Sequence, residues 1–277
     1  MNLTKQEYQR VRDFIYRKAG LFFEDRKLYF VQKRIEKRIQ ELGLETSDDY
    51  LRVLQFRDPN GEELQAFLNI LTTNETYFFR EFEQLASFAE HCLSEVCDRK
   101  RKLGSGKLKL WSAGCSTGEE PYTLGIIIKE MLEQDDWLVD ILATDINTRV
   151  VNFARKAVYE SRAVKDVPQE YLENWFESYS SGKYTVSPVI KKMCSFEILN
   201  LMDRKALRKI TNVDFIFCRN VLIYFDNDSR KQVVSNFYDI LNPGGYIYLG
   251  HSESMTRISS AFKIRRKGGY IVYQKPE

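Results

Sequence analysis

Histidine is nearly absent: His91 and His251 are the only two in the chain. Imidazole acid–base chemistry and histidine-rich metal sites therefore have little material to draw on. The five cysteines, Cys92, Cys97, Cys115, Cys194 and Cys218, are odd in number and form no C-x-x-C pair. That argues against a disulfide framework and against a zinc site, and no metal is expected. No apolar run approaches the ~18 residues that a membrane span needs, and mean hydropathy is −0.42. The opening residues, MNLTKQEYQR, hold no apolar signal core, so a cytoplasmic location without membrane insertion is expected. A net charge of +3 is too small to imply a nucleic-acid partner.

What is present fits an ordinary folded chain. The 277 residues are 43% hydrophobic, enough for a core but too long for one minimal domain. The stretch that organises the rest is Lys107 to Thr123, KLKLWSAGCSTGEEPYT. Alternating apolar residues lead into Ser112–Gly118, which has no large side chain, and Pro121 then fits the first turn of a helix. This reads as strand, small-residue turn, helix: a backbone that a ligand can approach closely, beside free N–H groups. The next strand, Val139 to Ala143, ends in Thr144-Asp145. An acid at that place, ~20–30 residues past the glycines, suits a ribose hydroxyl pair. Gly118 is followed by Glu119 and Glu120, not by a P-loop lysine. Two acids at a helix start disfavour a phosphate and suit an ammonium or sulfonium, which points from NAD toward S-adenosylmethionine.

Residues 1–72 read as helical. Thr4 and Glu7 form a capping-box pair, and Leu28, Val31, Ile35, Ile39 and Leu42 make an apolar stripe that Gly43 ends. Ser47-Asp48-Asp49 caps a third helix, and a fourth starts at Glu62. Residues 73–82, with Asn74-Glu75-Thr76-Tyr77-Phe78-Phe79-Arg80, are a linker or cleft wall. Residues 83–277 alternate strand with helix after a helix over 81–101, implying a mainly parallel sheet covered on both faces and closed by a hairpin. The irregular 157–194 region, with strands expected at Lys183–Val186 and Val189–Lys192, reads as an inserted small β element. The carboxyl ends of the main strands then gather Gly114–Gly118, Asp145, Asn200-Leu201, Arg219-Asn220 with Tyr224, and His251-Ser252-Glu253. No nucleophilic triad and no metal cluster appears in that set. A carboxylate methyl acceptor needs no base, because it is already ionised at pH 7.

Five segments in order, N-E-T-Y-F-F-R at 74–80, W-S-A-G-C-S-T-G-E-E-P-Y at 111–122, A-T-D-I-N at 143–147, F-C-R-N-V-L-I-Y-F at 217–225 and G-H-S-E at 250–253, resemble the CheR-type chemotaxis receptor methyltransferases. The resemblance covers nearly the whole chain. It implies a small all-helical N-terminal domain, a Rossmann-like seven-stranded S-adenosylmethionine-dependent methyltransferase sheet, and an inserted antiparallel β subdomain. The implied activity is O-methylation of glutamate side chains on the cytoplasmic helical bundle of chemoreceptors, by a monomer that yields S-adenosylhomocysteine. Carried over by position, Asn74, Thr76 and Arg80 would meet the cofactor from the linker, with Arg80 near the transferred methyl. Gly114 and one of Glu119 or Glu120 would hold the methionyl group, and Asp145 the ribose. Asn200, Leu201, Arg219 and Asn220 would line the adenine and methionyl sides, and Tyr224 would face the methyl. R-N-V-L-I-Y stands where amide and base methylases carry N-P-P-Y-like turns, which counts against amide or base-amine acceptors. Six cations and one acid lie between Arg26 and Arg38, so Lys33, Arg34, Lys37 and Arg38 are expected to face outward and meet acidic receptor helices. The competing readings are a same-fold methyltransferase or a non-catalytic cofactor-binding module in a non-chemotaxis signalling system.

Overall fold

The computed structural model describes residues 4–132 and 137–277. Four helices come first: α1 (Lys5–Ala19), α2 (Leu28–Leu42), α3 (Ser47–Phe56) and α4 (Glu62–Leu71). The capping box forms as expected, with Glu7 N donating to Thr4 Oγ1 at 3.2 Å and Thr4 N to the Glu7 carboxylate at 2.8 Å. Val31, Ile35 and Ile39 bury the α2 stripe, but Leu42 is 40% exposed at the last turn. Thr46, not Ser47, caps α3, through Asp49 N at 3.1 Å. Ser47 instead donates its hydroxyl to Glu7, tying α3 to α1.

Past the linker, α5 (Phe82–Ser87) and α6 (Ser94–Lys102) are joined by a π-type stretch over Phe88–Leu93, where one uniform helix was expected. Then follow β1 (Lys107–Ala113), α7 (Glu119–Met131), β2 (Leu138–Asp145) and α8 (Thr148–Lys156). The inserted region holds β3 (Val158–Glu160), α9 (Gln169–Trp175), β4 (Phe176–Ser180), β5 (Lys183–Val186) and α10 (Pro188–Met193). The chain ends with β6 (Cys194–Ile198), α11 (Arg204–Leu207), β7 (Val213–Cys218), α12 (Asn227–Ile240), β8 (Leu241–Leu249), β9 (Lys263–Lys267) and β10 (Tyr270–Gln274). The expected strand at Val189–Lys192 is the helix α10. Pro188 sits in its first turn, and Ile190 and Met193 bury at helical spacing.

The main sheet has seven strands in the order β6-β2-β1-β7-β8-β10-β9. The first five are parallel, and β10 and β9 close the sheet as an antiparallel hairpin. β3, β5 and β4 form a separate antiparallel sheet. All six residues of β7 are buried, as a central parallel strand requires. Its alternate residues serve different cores. Phe215 and Phe217 pack with Phe88, Tyr246 and Tyr248 on one face. Ile216 and Cys218 join Trp111, Phe237 and the N-terminal helices on the other. The helical segment therefore shares one continuous apolar cluster with a face of the sheet. Polar contacts register the two. Asn147, which caps α8, donates to Asn69 O at 3.0 Å and to Thr72 Oγ1 at 2.8 Å, and Gln65 donates to Ile146 O at 2.8 Å. This seam fixes where residue 73 begins, and so aims the linker across the strand ends.

Candidate active site

The turn after β1 is set by backbone geometry. Gly114 N and Cys115 N both donate to Thr144 O, at 2.8 and 2.9 Å, folding the turn over the end of β2. Gly114 has φ 96°, and a Cβ there would lie 2.3 Å from Val221 Cγ2. Only glycine keeps that surface open. Gly118, at φ 95°, serves packing instead. A Cβ there would meet Ala154 Cβ at 2.7 Å, so its bareness lets α7 approach α8. Asp145 locks the turn from β2, accepting from Ser116 N and Asn147 N at 2.9 Å each. A carboxylate offers about four acceptor positions, so lone pairs remain for a ligand. Burial pushes the Asp145 carboxyl above its usual range, against the pull of those backbone donors.

The two glutamates opening α7 diverge. Glu120 lines the cavity, accepting from Ser112 Oγ at 2.6 Å and from Arg219 Nη1 at 3.2 Å. Glu119 is 4% exposed and lies outside the cavity lining. Thr117 Oγ1 donates to both of its oxygens, at 2.9 and 2.7 Å, and burial pushes its carboxyl up. Adjacent helical residues point about 100° apart, so only one of a neighbouring pair can face the strand ends.

The linker crosses above. Phe78 is fully buried and packs edge-on against Tyr159 and Phe176, so it is core rather than site wall. Phe79, buried beside Tyr171, also lines the cavity. These anchors hold Asn74, Thr76 and Arg80 along the rim. Arg80 donates to Glu75 O at 2.6 Å, curling the linker on itself. Arg219, whose side chain is 6% exposed, joins the linker to α7: it pairs with Glu81 and Glu120, each at 3.2 Å, and donates to Arg80 O. One buried cation against two carboxylates leaves a local surplus of negative charge.

Asn200, Leu201, Asn220 and Tyr224 complete the wall, so every cofactor-side and catalytic candidate except Glu119 lines one cavity of about 240 Å³. Asn200 also donates to Lys18 O at 2.8 Å, tying the end of β6 to α1. Tyr224 donates to Thr73 O at 3.2 Å, and burial raises its phenol pKa. Among the described residues, Arg219 Nε and Asn220 Oδ1 are buried without a hydrogen-bond partner. Neither histidine lines the cavity. Cys115 does, but complete burial raises its thiol pKa well above the usual value and so keeps it protonated.

Sequence reasoning assigned no role to four contributors, although it set Glu253 among the strand ends. Ala19 and Leu21, from the end of α1, close one side of the cavity, and no local pattern announces that. Ser112 supports Glu120 from inside β1. Glu253 accepts from Asn220 N and Gly250 N at 2.8 Å each and from Ile223 N at 3.2 Å, pinning the connection that carries Arg219, Asn220 and Tyr224. Its signal was there, in the G-H-S-E segment.

The basic face of α2 lies outside this cavity and is less free than its charge pattern implies. Arg38 is 11% exposed: its Nε donates to Glu63 at 2.8 Å, and Tyr50 donates to the same carboxylate at 2.7 Å. Arg34 stacks over Phe30, 3.8 Å from the ring centre, and donates to Ile70 O. Lys33 and Lys37 do face outward, 51% and 57% exposed, with long intrahelical pairs to Glu36 and Glu41 at 3.6 and 3.8 Å.

Comparison with known proteins agrees with this layout. The family described as CheR methyltransferase, SAM binding domain, matches residues 74–270, and that described as CheR methyltransferase, all-alpha domain, matches residues 6–72. Chemotaxis protein methyltransferase 2 of Vibrio cholerae is 42% identical over 277 residues, covering 99% of this chain and 94% of that protein. The chemotaxis protein methyltransferase of Escherichia coli is 33% identical over 274 residues, covering 98% and 91%. That of Borreliella burgdorferi is 32% identical over 257 residues, covering 92% and 90%. With a helical segment set against a methyltransferase sheet and matches of this extent, the chain belongs to the CheR family of S-adenosylmethionine-dependent chemotaxis protein methyltransferases.

Proposed function

We propose that the chain methylates glutamate carboxylates on the cytoplasmic helical bundle of chemoreceptors, acting as a cytoplasmic monomer. The domain limits proposed are 1–72, 73–82 and 83–277, with 157–194 inserted. The observation that carries the choice of acceptor is a cavity without a histidine, thiolate or phenolate base, whose carboxylates Glu120 and Asp145 already accept hydrogen bonds from Ser112, Arg219, Ser116 and Asn147. No histidine lines it, its cysteine is held protonated, and the raised pKa of Tyr224 keeps that phenol protonated too. An amine or hydroxyl acceptor would have to lose a proton, whereas a glutamate with a reference pKa of about 4.3 is already a nucleophile.

The residues suit S-adenosylmethionine. That cofactor supplies a methyl group on a positively charged sulfur, beside an ammonium, a carboxylate and a ribose diol. Asp145 has lone pairs left for the diol, and the bare Gly114 surface admits the methionyl chain. Glu120, rather than the buried Glu119, is placed to receive the ammonium. Arg219 Nε and Asn220 Oδ1 stand ready for polar contacts, with Asn200 and Leu201 on the adenine side and Asn74 and Thr76 on the linker side. The surplus negative charge around Arg219 favours a cationic ligand. Arg80 would orient the acceptor carboxylate, and the apolar faces of Tyr224, Phe79 and Phe225 would limit water as opposite charges neutralise. Lys33 and Lys37 remain as long-range steering charges.

The test is transfer of labelled methyl from S-adenosylmethionine to receptor-rich membranes. Alkali should release the label as methanol, the signature of an ester. Arg80→Ala should reduce turnover about 100-fold or more, the scale of lost positioning, with melting temperature little changed. Alkali-stable label would overturn the carboxylate acceptor.

A further inference from the structure

Two residues of the linker sit in the left-handed region of backbone space, Phe79 and Glu81, each at φ 58°. That conformation crowds the Cβ of any residue but glycine, and for a bulky aromatic it is rare. The two flank Arg80, which stands on the cavity rim. Strain of this kind persists only where neighbouring contacts over-determine it. On one side of Arg80, Phe78 N donates to Ala163 O and Phe79 N to Thr123 Oγ1, each at 3.2 Å, and both rings are buried. On the other, Glu81 O accepts from Gln84 N at 3.0 Å as it opens α5, and Gln84 Nε2 donates to Leu249 O at 2.8 Å.

Between these anchors, Arg219 Nη2 donates to Arg80 O. A guanidinium is a planar fork. Here its Nη1 lies on Glu120 and its Nη2 on Glu81, at 3.2 Å each. Glu81 thus sets which way the fork turns. Without it, both outer nitrogens are free to close on Glu120 in the bidentate manner, and Arg80 O loses its donor. Glu81 does not itself line the cavity, and its side chain is 24% exposed. Its loss leaves Arg219 paired with Glu120, so no buried charge is stranded and the fold loses little.

Resting on the role given to Arg80 above, we infer that Glu81 is a positioning residue for methyl transfer: through Arg219 it holds the strained Phe79–Glu81 backbone that aims the Arg80 side chain at the acceptor. From that backbone the Arg80 guanidinium donates to Glu75 O at 2.6 Å and lies 5.8 Å from the centre of the Tyr77 ring. Relaxation of either flanking residue would swing so long a side chain off the acceptor, and a misplacement of about 1 Å can cost about 100-fold in rate.

The experiment uses Glu81→Asn. Asparagine tolerates the left-handed region better than most residues with a side chain, so the backbone demand is met while the charge is lost. Labelled methyl transfer to the cytoplasmic fragment of a chemoreceptor should lose about tenfold in kcat, with the fragment's KM within about twofold. Affinity for S-adenosylhomocysteine should stay within about threefold, and melting temperature within about 3 °C. Hydrogen exchange across residues 77–82 of the cofactor-free protein should quicken at least about tenfold, while residues 111–118 exchange as in wild type. In an Arg80→Ala background, Glu81→Asn should cost no more than about a further twofold in kcat, because its effect passes through Arg80. Glu83→Asn, the same loss of charge at an exposed position of α5, should leave kcat within about twofold. A full tenfold loss in the Arg80→Ala background, a matching loss in the Glu83 control, or wild-type exchange in Glu81→Asn overturns the assignment. If Arg80→Ala alone turns over as wild type does, this inference falls with the role of Arg80. If wild type transfers no methyl to the fragment, the glutamate acceptor falls, and the exchange measurement still decides whether Glu81 holds the linker.

Discussion

The two sides of the cavity are built in opposite ways. On the strand side, Gly114, Ser116 and Asp145 are placed by backbone hydrogen bonds among the ends of β1 and β2 and the turns that follow them. On the helical side, Asn74, Arg80 and Tyr224 are placed by groups far away in sequence: Asn147 on Thr72, Arg219 on Arg80 and Glu81, α1 against Phe225. The first side tolerates almost no change of backbone shape. The second can yield, because two of its three anchors, Asn147 and Arg219, are side chains that can be removed alone. Cofactor affinity should therefore depend mostly on the strand side, and acceptor turnover mostly on the helical side.

The sharpest way to break this contrast is Gly114→Ala. The new Cβ would sit 2.3 Å from Val221 Cγ2 at a positive φ. Backbone strain of about 1–3 kcal/mol adds to overpacking of about 1–3 kcal/mol. Relief requires the turn to move, so affinity for S-adenosylhomocysteine should fall by at least about tenfold in calorimetry. Wild-type affinity would show that the turn is softer than its hydrogen bonds suggest.

Next in size is Arg38→Ala. Removing the guanidinium leaves Glu63 buried with only Tyr50 donating to it, and breaking such a pair costs about 3–5 kcal/mol. Denaturant melts should show that loss, whereas Lys37→Ala should change stability by less than about 0.5 kcal/mol. Equal effects would restore the outward-facing reading of the whole α2 charge run.

That run shows where the sequence stops being legible. The stripe of Val31, Ile35 and Ile39 is a local 3.6-residue pattern and reads directly. The partner of Arg38 lies 25 residues on, and no pattern in α2 points to Glu63. The glycine turn and Asp145 were legible because hydrogen bonding there runs between strand ends whose order the alternating pattern already implies. Glu119 and Glu120 could not be separated, because the phase of α7 relative to the sheet is a packing outcome. Val189–Lys192 read as a strand from its β-branched residues, but Pro188 and the burial of Ile190 and Met193 override that propensity. Ala19 and Leu21 were invisible as site residues because contacts distant in sequence, Asn200 to Lys18 O and the Leu21–Phe225 bridge, bring the end of α1 over the cavity.

A pH titration probes the strand side more gently. Burial raises the Asp145 carboxyl, so it takes up its proton at a higher pH than a free aspartate. Protonation removes acceptor lone pairs, so S-adenosylhomocysteine affinity should weaken as pH falls through that raised value. The stability linkage runs the other way. A raised native carboxyl pKa is a cost above it, and that cost is relieved on acidification. Affinity and this group's share of stability should thus move in opposite directions, and Asp145→Asn should flatten the acid limb of the affinity curve. An unaltered limb in that variant would assign the titration to another group.

The smallest effect expected is that of Tyr224→Phe, on the helical side. The phenol's one hydrogen bond is to Thr73 O, a partly exposed contact of 3.2 Å whose loss is worth about 0.5–1.5 kcal/mol. The ring, which lines the cavity and limits water, stays in place. If the acceptor arrives ionised, no proton passes through the hydroxyl, so kcat should fall by no more than about tenfold, the upper end of that range. A phenol acting as a base would give a different picture: turnover reduced by about 10²–10⁴ and loss of a pH limb in kcat. Single-turnover rates for wild type and Tyr224→Phe from pH 6 to 9 separate the two. Parallel profiles with a small vertical offset fit an acceptor that arrives ionised, whereas a lost limb would make Tyr224 part of the proton chemistry and reopen the acceptor to amines and hydroxyls.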